Sequence, residues 1–282
     1  MKNALDSAPA RLEPALTVLI ADTSQITRRV MAATIGTILP RAKILEAASG
    51  PEAFDILKTG SVEIAFVDMD LPNLNGTEAV ARARQQGARP FVTLMAQEIK
   101  AGWESCSREV EAYEFLEKPL EEDEIRQIIA NYLRMKEPCR VLVADDSKIF
   151  RHLIRKVLAA SRFNIGVDVV DSGETAVGLL RQQAYDVIFL DYDMPSLDGL
   201  EIACLIHEVC PSARVVMVSA HHSQSIEKAA RYFGAVEFLK KPFSPGDVDR
   251  ALHLAFDLPV PSLLESLGTQ HMDEPRPAAS LG

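Results

Sequence analysis

The sequence predicts an α/β protein built from two doubly wound (βα)5 domains, each with a five-stranded parallel sheet. An internal repeat is the first observation: VLIADTS at 18–24 recurs as VLVADDS at 141–147, and IAFVDMDLPNLNGTE from Ile64 recurs as VIFLDYDMPSLDGLE from Val187. The second is that each copy alternates short apolar runs with longer stretches of helical period, which is typical of a parallel sheet covered by helices on both faces. The chain is therefore expected to be a tandem duplication.

Five apolar runs in each copy are predicted to be strands, because they are short and bounded by turn signals. In the first copy these strands cover residues 16–21, 43–47, 64–67, 90–95 and 113–116. In the second copy they cover residues 140–144, 167–170, 187–190, 215–219 and 237–239.

The stretches that separate the runs are predicted to be helices. In the second copy the helices begin near Lys148, Gly173, Gly199, Ser223 and Pro245. The first of them carries an apolar stripe at helical spacing, which we expect to pack on the sheet. The stripe consists of Ile149, Leu153, Val157 and Leu158.

The two copies align at a spacing of 123 residues with one interruption. Met95 is placed opposite Ser219, at a spacing of 124, so the first copy is one residue shorter before its fourth strand and one longer after it. The extra residue falls in 97–111, which contains Gly102 and Trp103, and predicts an irregular fourth helix. Trp103 is expected to mark an interface if it is exposed and to belong to the core if it is buried.

The repeat also sets the expected domain boundaries, at residues 16–136 and 140–258. The linker at 137–139 is short and Pro138 ends the preceding helix, so we expect a fixed or narrowly hinged arrangement. The tails at 1–15 and 259–282 are expected to be disordered, the second because it is rich in proline and small polar residues. Its one apolar patch, at 263–267, is too short to be stable alone.

The charge of the chain excludes some classes of partner. The net charge is −10, and when the chain is divided after Glu137 each half carries −5. A nucleic-acid-binding module would show a basic stripe, so no nucleic-acid partner is expected. No secretory leader and no run of about 18 apolar residues is present, so we expect a cytoplasmic protein without a membrane span.

Four cysteines are present without a C-x-x-C pair, and in a reducing compartment they are expected to be free thiols. Cys204, His207 and Cys210 could share part of a helix face and hold a metal. No fourth ligand is evident, which favours ordinary helix-buried cysteines instead.

Chemically distinctive side chains of the second copy follow the predicted strand ends, where ligands bind in open parallel sheets. Three carboxylates, one hydroxyl and one ammonium are expected to converge there. They belong to Asp145, Asp146, Asp191, Ser219 and Lys241. Clustered carboxylates repel one another unless a cation lies among them, and an all-oxygen cluster suits Mg²⁺.

With these residues in place, the sequence resembles the receiver domains of two-component response regulators, which have a flavodoxin-like fold, over both copies. The resemblance is carried by the acidic pair in VLVADDS, the acceptor in VIFLDYDMP, Gly199, the Ser in MVSA and the K-P in FLKKPF. It implies that Asp191 is the phosphoacceptor, that Asp146, Asp191 and the backbone carbonyl of Asp193 bind Mg²⁺, and that Asp145 assists through water.

The resemblance also implies a switch and a partner. A sensor histidine kinase or a histidine phosphotransfer protein would supply the phosphoryl group, and Lys241 with Mg²⁺ would neutralise its charge. Ser219 would hydrogen-bond a phosphoryl oxygen and let Phe238, the rotating aromatic, turn inward. Asp193 and His221 occupy the positions that tune phosphoryl lifetime in the family, although His221 could equally be an ordinary exposed histidine.

The first copy departs from this pattern. Asp68 and Lys118 stand at the acceptor and lysine positions, but Thr23 replaces the direct Mg²⁺ ligand, leaving only Asp22. Met95, at the hydroxyl position of our alignment, cannot donate a hydrogen bond. We expect a pseudo-receiver in which Asp68 and Lys118 pair; the alternative is a weak but real acceptor at Asp68.

These residues predict a signalling protein, not an enzyme, whose output is protein interaction or homodimerisation, as an adaptor, a relay or a phosphate sink. A two-input device with both domains phosphorylated is an alternative. A phosphatase of the haloacid dehalogenase class is another, because Asp191-Tyr192-Asp193 resembles its D-x-D nucleophile, but Pro195 and the upstream acidic pair argue against it. A scaffold that uses neither site is the third.

Overall fold

The structure is a computed structural model that describes residues 15–98, 102–194, 199–221 and 223–264. Of the predicted tails, residues 1–14 and 265–282 lie outside the described residues. The described chain forms two units, each an open parallel sheet with flanking helices, which confirms the predicted fold class.

Strands and helices alternate strictly in the first unit. Its elements are β1 (Thr17–Ala21), α1 (Gln25–Ile38), β2 (Lys43–Ala47), α2 (Gly50–Leu57), β3 (Ile64–Asp68), α3 (Gly76–Gln85), β4 (Phe91–Ala96), α4 (Trp103–Glu109), β5 (Glu114–Glu117) and α5 (Glu122–Lys136). The sheet order is β2-β1-β3-β4-β5, with every pair parallel.

The second unit repeats this order. Its elements are β6 (Cys139–Ala144), α6 (Lys148–Ala159), β7 (Ile165–Val170), α7 (Gly173–Leu180), β8 (Val187–Asp191), α8 (Gly199–Val209), β9 (Arg214–Ser219), α9 (Gln224–Tyr232), β10 (Ala235–Lys240) and α10 (Pro245–Ala255). The sheet order β7-β6-β8-β9-β10 has the same topology as that of the first unit.

Local sequence signals explain where the helices begin. The side chains of Ser24 and Ser147, at matching positions, accept hydrogen bonds from the third residue of α1 and α6, which satisfies a backbone donor at each helix start. Gly76 and Gly199 begin α3 and α8 against the ends of β3 and β8. A Cβ at Gly76 would lie 2.0 Å from the carbonyl oxygen of Asp68, and one at Gly199 would lie 2.9 Å from that of Asp191, so glycine is required at both.

The apolar stripe predicted for α6 is right for Leu158 but wrong for Ile149 and Leu153. Ile149 is exposed on 84% of its surface and Leu153 on 42%, whereas Ile154 and Leu158 are buried against the sheet. The exposed pair and the buried pair are each spaced i, i+4, so both fit a helical stripe. The buried pair begins at Ile154, one residue after Leu153 of the predicted stripe.

The compact units are divided between Ile128 and Ile129, inside α5. The expected boundaries at 16–136 and 140–258 and the linker at 137–139 stay predictions. Disorder from residue 259 is wrong for 259–264, because 262–264 form a helical turn and burial of Leu263 supplies the apolar contact that the isolated patch lacked.

Candidate functional site

Two carboxylates of the second unit lie where its central strands end. Asp145 directly follows β6, Asp191 ends β8, and both side chains are buried. Strands β6 and β8 are paired in parallel, so their carboxyl ends meet at one edge of the sheet. Asp146 is exposed beside them, and one oxygen from each of the three carboxylates lies within 4.8 Å of the others.

Lys241 brings a positive charge into this cluster. It follows β10 at a cis peptide bond to Pro242, and its Nζ donates hydrogen bonds to Oδ2 of Asp191, at 2.7 Å, and to Oδ2 of Asp145. The ring of Phe150, in the first turn of α6, has its centroid 4.1 Å from the same Nζ. The lysine is thus held between two carboxylates and an aromatic face.

The electrostatics of the cluster fit a bound cation. Burial raises the pKa of Asp145 above its ordinary value, and the charge of Asp191 acts in the same direction, while hydrogen bonds from Lys241 and Ser147 oppose it. Three carboxylates and one ammonium leave the site with two uncompensated negative charges. The donor set is entirely oxygen, so Asp145, Asp146 and Asp191 suit Mg²⁺.

Ser219, at the end of β9, is held by neighbouring groups. Its Oγ donates to Oδ2 of Asp193 at 2.8 Å or to the carbonyl of His221 at 2.9 Å, and it accepts from the backbone N–H of His221 at 3.0 Å. Nδ1 of His221 lies 3.5 Å from the same Asp193 carboxylate, although the histidine side chain is largely exposed. In this state the serine hydroxyl is engaged with Asp193.

Phe238, the predicted rotating aromatic, is buried on β10. It pairs with Met217 of β9 and belongs to the apolar cluster that also contains Ile202 and Ala230. The ring therefore lies inward in this structure, next to the strand whose end carries Ser219.

The first unit presents a reduced version of the same arrangement. Nζ of Lys118, which also precedes a cis proline, lies 2.6 Å from Oδ2 of both Asp22 and Asp68. Although burial alone would lower the pKa of Lys118, the hydrogen bonds and charges of these two aspartates raise it. Thr23 stands where the second unit has Asp146, so one negative charge remains where the second unit has two.

The equivalence of Met95 with Ser219 is wrong. In the first unit Asp68 pairs with Met95, while in the second Asp191 pairs with Val218. The spacing of 123 residues therefore continues through the fourth strand, and Ala96 is the counterpart of Ser219. The expectation of a missing hydroxyl still stands, because alanine has none, but the extra residue inferred for 97–111 does not exist.

Other candidate residues of the sequence can also be placed. Trp103 is half-buried and packs on Phe115, with ring centroids 4.8 Å apart, at the start of a helix two residues shorter than its counterpart α9. Cys204 is exposed and Cys210 is buried. Within the described residues, the only group of three or more potential metal-ligating acidic, histidine or cysteine side chains is that of Asp145, Asp146 and Asp191. The disfavoured alternative of a metal at Cys204, His207 and Cys210 therefore finds no support.

The sequence analysis missed two contacts of α6 with the site. One is the position of Phe150 under Lys241, for which the first copy gives no hint because it has Thr27 there. The other is Arg151, whose Nη1 donates to the carbonyl of Asp145 at 2.6 Å. The repeat could have revealed the second contact, since Arg28 makes the same 2.6 Å bond to Asp22.

Comparison with known proteins matches both units. The family model described as "Response regulator receiver domain" matches residues 18–130 and 141–253. The chemotaxis protein CheY of Bacillus subtilis is 31% identical over 114 residues, covering 40% of this chain and 94% of CheY. A protein-glutamate methylesterase/protein-glutamine glutaminase of Azospirillum brasilense is 31% identical over 134 residues, covering 47% of this chain but only 34% of that protein.

A solved structure of a two-component system response regulator/GGDEF domain protein resembles the fold over most of the chain. It has a TM-score of 0.60 and 21% identity, and the match covers 86% of this chain and 98% of that one. In the part of the chain that the structure describes, none of the helices has the length and apolar character needed to cross a membrane.

Proposed function

Both units of the chain belong to the response regulator receiver domain family, and from this premise we propose that the second unit accepts a phosphoryl group from a sensor histidine kinase, or from a histidine phosphotransfer protein, on Asp191. The observation that carries the proposal is the convergence of Asp145, Asp146, Asp191 and Lys241 at one sheet edge, with two negative charges left to be balanced.

The proposed transfer uses the groups of the chain in defined roles. A carboxylate oxygen of Asp191 attacks the phosphorus; the P–N bond of the donor histidine breaks, and its electron pair stays on the imidazole nitrogen, which takes up a proton from solvent. Lys241 already contacts Asp191 and neutralises charge on the transferring oxygens. Mg²⁺ held by Asp146, Asp191 and the backbone carbonyl of Asp193, with Asp145 assisting through water, would supply further neutralisation.

The proposed output follows from Ser219 and Phe238. Ser219 would leave Asp193 and donate its hydrogen bond to a phosphoryl oxygen, which draws in the end of β9. That shift would hold Phe238 in the inward position that it already has in this structure, and so stabilise the corresponding form of the surface made by α9, β10 and α10. A protein partner or a second copy would read this surface, and the chain itself would turn over no external phosphoester.

The first unit is proposed to be a pseudo-receiver. Its aspartates share the ammonium of Lys118, it lacks the carboxylate supplied by Asp146 in the second unit, and Ala96 offers no hydroxyl. Phosphoryl transfer depends on positioning and charge neutralisation, and both are reduced here.

Intact-mass measurement after incubation with Mg²⁺ and acetyl phosphate tests both proposals. We expect one phosphoryl group on the wild type and on Asp68→Asn, and none on Asp191→Asn. A group lost from Asp68→Asn would show that the first unit is an acceptor as well. Profiling against purified, autophosphorylated sensor kinases then identifies the physiological donor; absence of label from every donor would contradict the proposed function.

A further inference from the structure

Exposed apolar side chains are concentrated on one face of two equivalent helices. Within the described residues, seven large apolar side chains are exposed, and four of them form two pairs. Ile26 and Val30 on α1 are 77% and 58% exposed, and Ile149 and Leu153 on α6 are 84% and 42% exposed. The pairs occupy identical positions of the repeat, and each is spaced i, i+4 so that its members share one face.

The charge of these helices is also unlike that of the rest of the chain. Although the chain has 40 acidic residues, neither α1 nor α6 contains one, whereas each of the other eight helices described in the structure contains at least one. Both helices carry basic residues instead. These are Arg28 and Arg29 on α1, and Lys148, Arg151, Arg155 and Lys156 on α6. Arg28 is already paired with Glu46 at 2.9 Å, so the basic character of the α1 face rests on Arg29. A partner for both faces would combine apolar side chains with carboxylates.

Each face lies beside the cluster of strand-end residues in its own unit. The backbone N–H of Ser24 donates to Asp22 at 2.7 Å, and that of Ser147 donates to Asp145 at 2.9 Å, so both helices start at the carboxylates. Arg28 and Arg151 tie the two helices to the strand ends through equivalent bonds of 2.6 Å. A protein that delivers a phosphoryl group to Asp191 must therefore cover the rim that α6 forms.

We propose that α1 of the first unit is a second, non-accepting docking site for the same phosphodonor protein that docks on α6. This inference rests on the proposed function, since the donor is defined by its transfer to Asp191. The shared surface binds the acidic and apolar face of the donor in both units, but only the second unit has the residues to take the phosphoryl group. The first unit thus holds the donor without being phosphorylated by it.

The test uses the kinase that labels Asp191 in the profiling experiment and the full-length chain. Two double variants remove one face each: Ile149→Asp with Leu153→Asp, and Ile26→Asp with Val30→Asp. A fourfold variant removes both, and Leu205→Asp is the matched control because it replaces an exposed apolar residue on α8, outside both faces and outside the surface of α9, β10 and α10. Binding of the kinase is measured by isothermal titration calorimetry. Acetyl phosphate labelling of Asp191 verifies that the second unit is folded, and differential scanning calorimetry of the full chain verifies the first.

We expect the α6 double variant to lose kinase-dependent labelling of Asp191 but still to bind the kinase. The fourfold variant should then bind at least about tenfold more weakly, because a carboxylate at the centre of an apolar contact removes its main contribution. The α1 double variant should keep its labelling from the kinase, and the Leu205→Asp control should behave as the wild type.

Three outcomes would overturn the inference. The first is complete loss of binding in the α6 double variant alone, and the second is equal binding by that variant and the fourfold variant. The third is a change of self-association in sedimentation experiments with no change in kinase binding, which would identify the face as a contact between copies of the chain. If no kinase labels Asp191, the proposed function fails instead, and that result is seen before any helix variant is made.

Discussion

The hydroxyl of Ser219 lies 2.8 Å from the carboxylate of Asp193, which is the nearer and the charged one of its two acceptors, and we assign its proton to this bond. The proposed switch requires the same hydroxyl to reach a phosphoryl oxygen on Asp191, so the contact with Asp193 must break first. Asp193 also places a negative charge two residues from the acceptor, toward which an anionic group must move. Both effects favour the unphosphorylated arrangement.

The first prediction is that Asp193→Ala accelerates labelling of Asp191 by acetyl phosphate. The gain should be about fivefold, which corresponds to the roughly 1 kcal/mol that one hydrogen bond contributes on balance. The rate is measured by intact mass at several times after mixing.

A double-mutant cycle separates the hydrogen bond from the charge. In the Ser219→Ala background, Asp193→Ala should give a clearly smaller gain, because the bond is already absent. The matched control is Asp70→Ala in the first unit, whose neighbour Ala96 has no hydroxyl, and it should leave labelling of Asp191 unchanged. An equal gain in both backgrounds would show that Ser219 and Asp193 do not act together.

The second prediction is that the first unit gains an acceptor when its missing groups are restored. In an Asp191→Asn background, Thr23→Asp with Ala96→Ser should allow acetyl phosphate to label Asp68, because the third carboxylate and the hydroxyl are then present. Intact mass followed by peptide mapping measures the label and its position.

The control introduces the new hydroxyl at position 95 instead of position 96. Thr23→Asp with Met95→Ser should not restore labelling, because strand pairing places Met95 opposite Asp68 and not at the position of Ser219. It should also lower the free energy of unfolding, since Met95 is fully buried. Labelling by the Met95 variant alone would contradict the strand equivalence given above.

The sequence alone did not determine which residue of the fourth strand is the counterpart of Ser219. In a central parallel strand both faces are buried, so the apolar pattern alone does not fix which residue lies opposite which. The similarity of LMA to VSA drew the alignment one residue away from the observed pairing. Hydrogen bonds, such as those from the backbone of Met69 to Met95 and of Tyr192 to Val218, determine it instead.

Most of the remaining fold and site was accessible from the sequence, because strand ends in a parallel sheet bring distant residues to one edge. Asp145, Asp146, Asp191 and Lys241 meet as expected. The outward face of α6 was not predicted, because Ile149 and Ile154 both belong to regular apolar spacings and only packing on the sheet distinguishes them. The bond between Ser219 and Asp193 depends on loop geometry, for which the sequence carries no signal.

The third prediction concerns Lys118, which lies between two buried carboxylates. Lys118→Met should lower the free energy of unfolding by about 3 kcal/mol, because it leaves Asp22 and Asp68 buried without a counter-charge. Differential scanning calorimetry of the full chain measures the change. Asp68→Asn in the same chain should recover part of the loss by removing one of the two charges, and no recovery would show that the lysine acts through packing of its methylene groups.

The fourth prediction follows from His253, a fully buried residue of α10. Burial lowers its pKa from 6.5 to about 4, the charge of Arg162 adds to this effect, and the hydrogen bond of Nδ1 with the backbone carbonyl of Asp249 opposes it. The nearby Asp249 carboxylate accepts a hydrogen bond from Ser161, and its pKa is raised by burial. The second unit therefore contains two buried groups whose protonation changes on unfolding.

The lowered pKa of His253 determines how the free energy of unfolding of the second unit changes with pH. Above pH 6.5 the ring is neutral in both states, but between pH 6.5 and about 4 only the unfolded state binds the proton, so the second unit should lose up to about 3 kcal/mol of stability over this interval. The raised pKa of Asp249 has the opposite effect, because the folded state takes up this proton before the unfolded state does as the pH falls. Comparison of the wild type with a His253 variant cancels the contribution of Asp249, because both chains contain it. Urea unfolding of wild type and His253→Leu at pH 7.5, 6.0 and 5.0 measures the difference. The wild type should weaken relative to the variant as the pH falls, and parallel pH profiles would show that His253 is protonated in the folded chain.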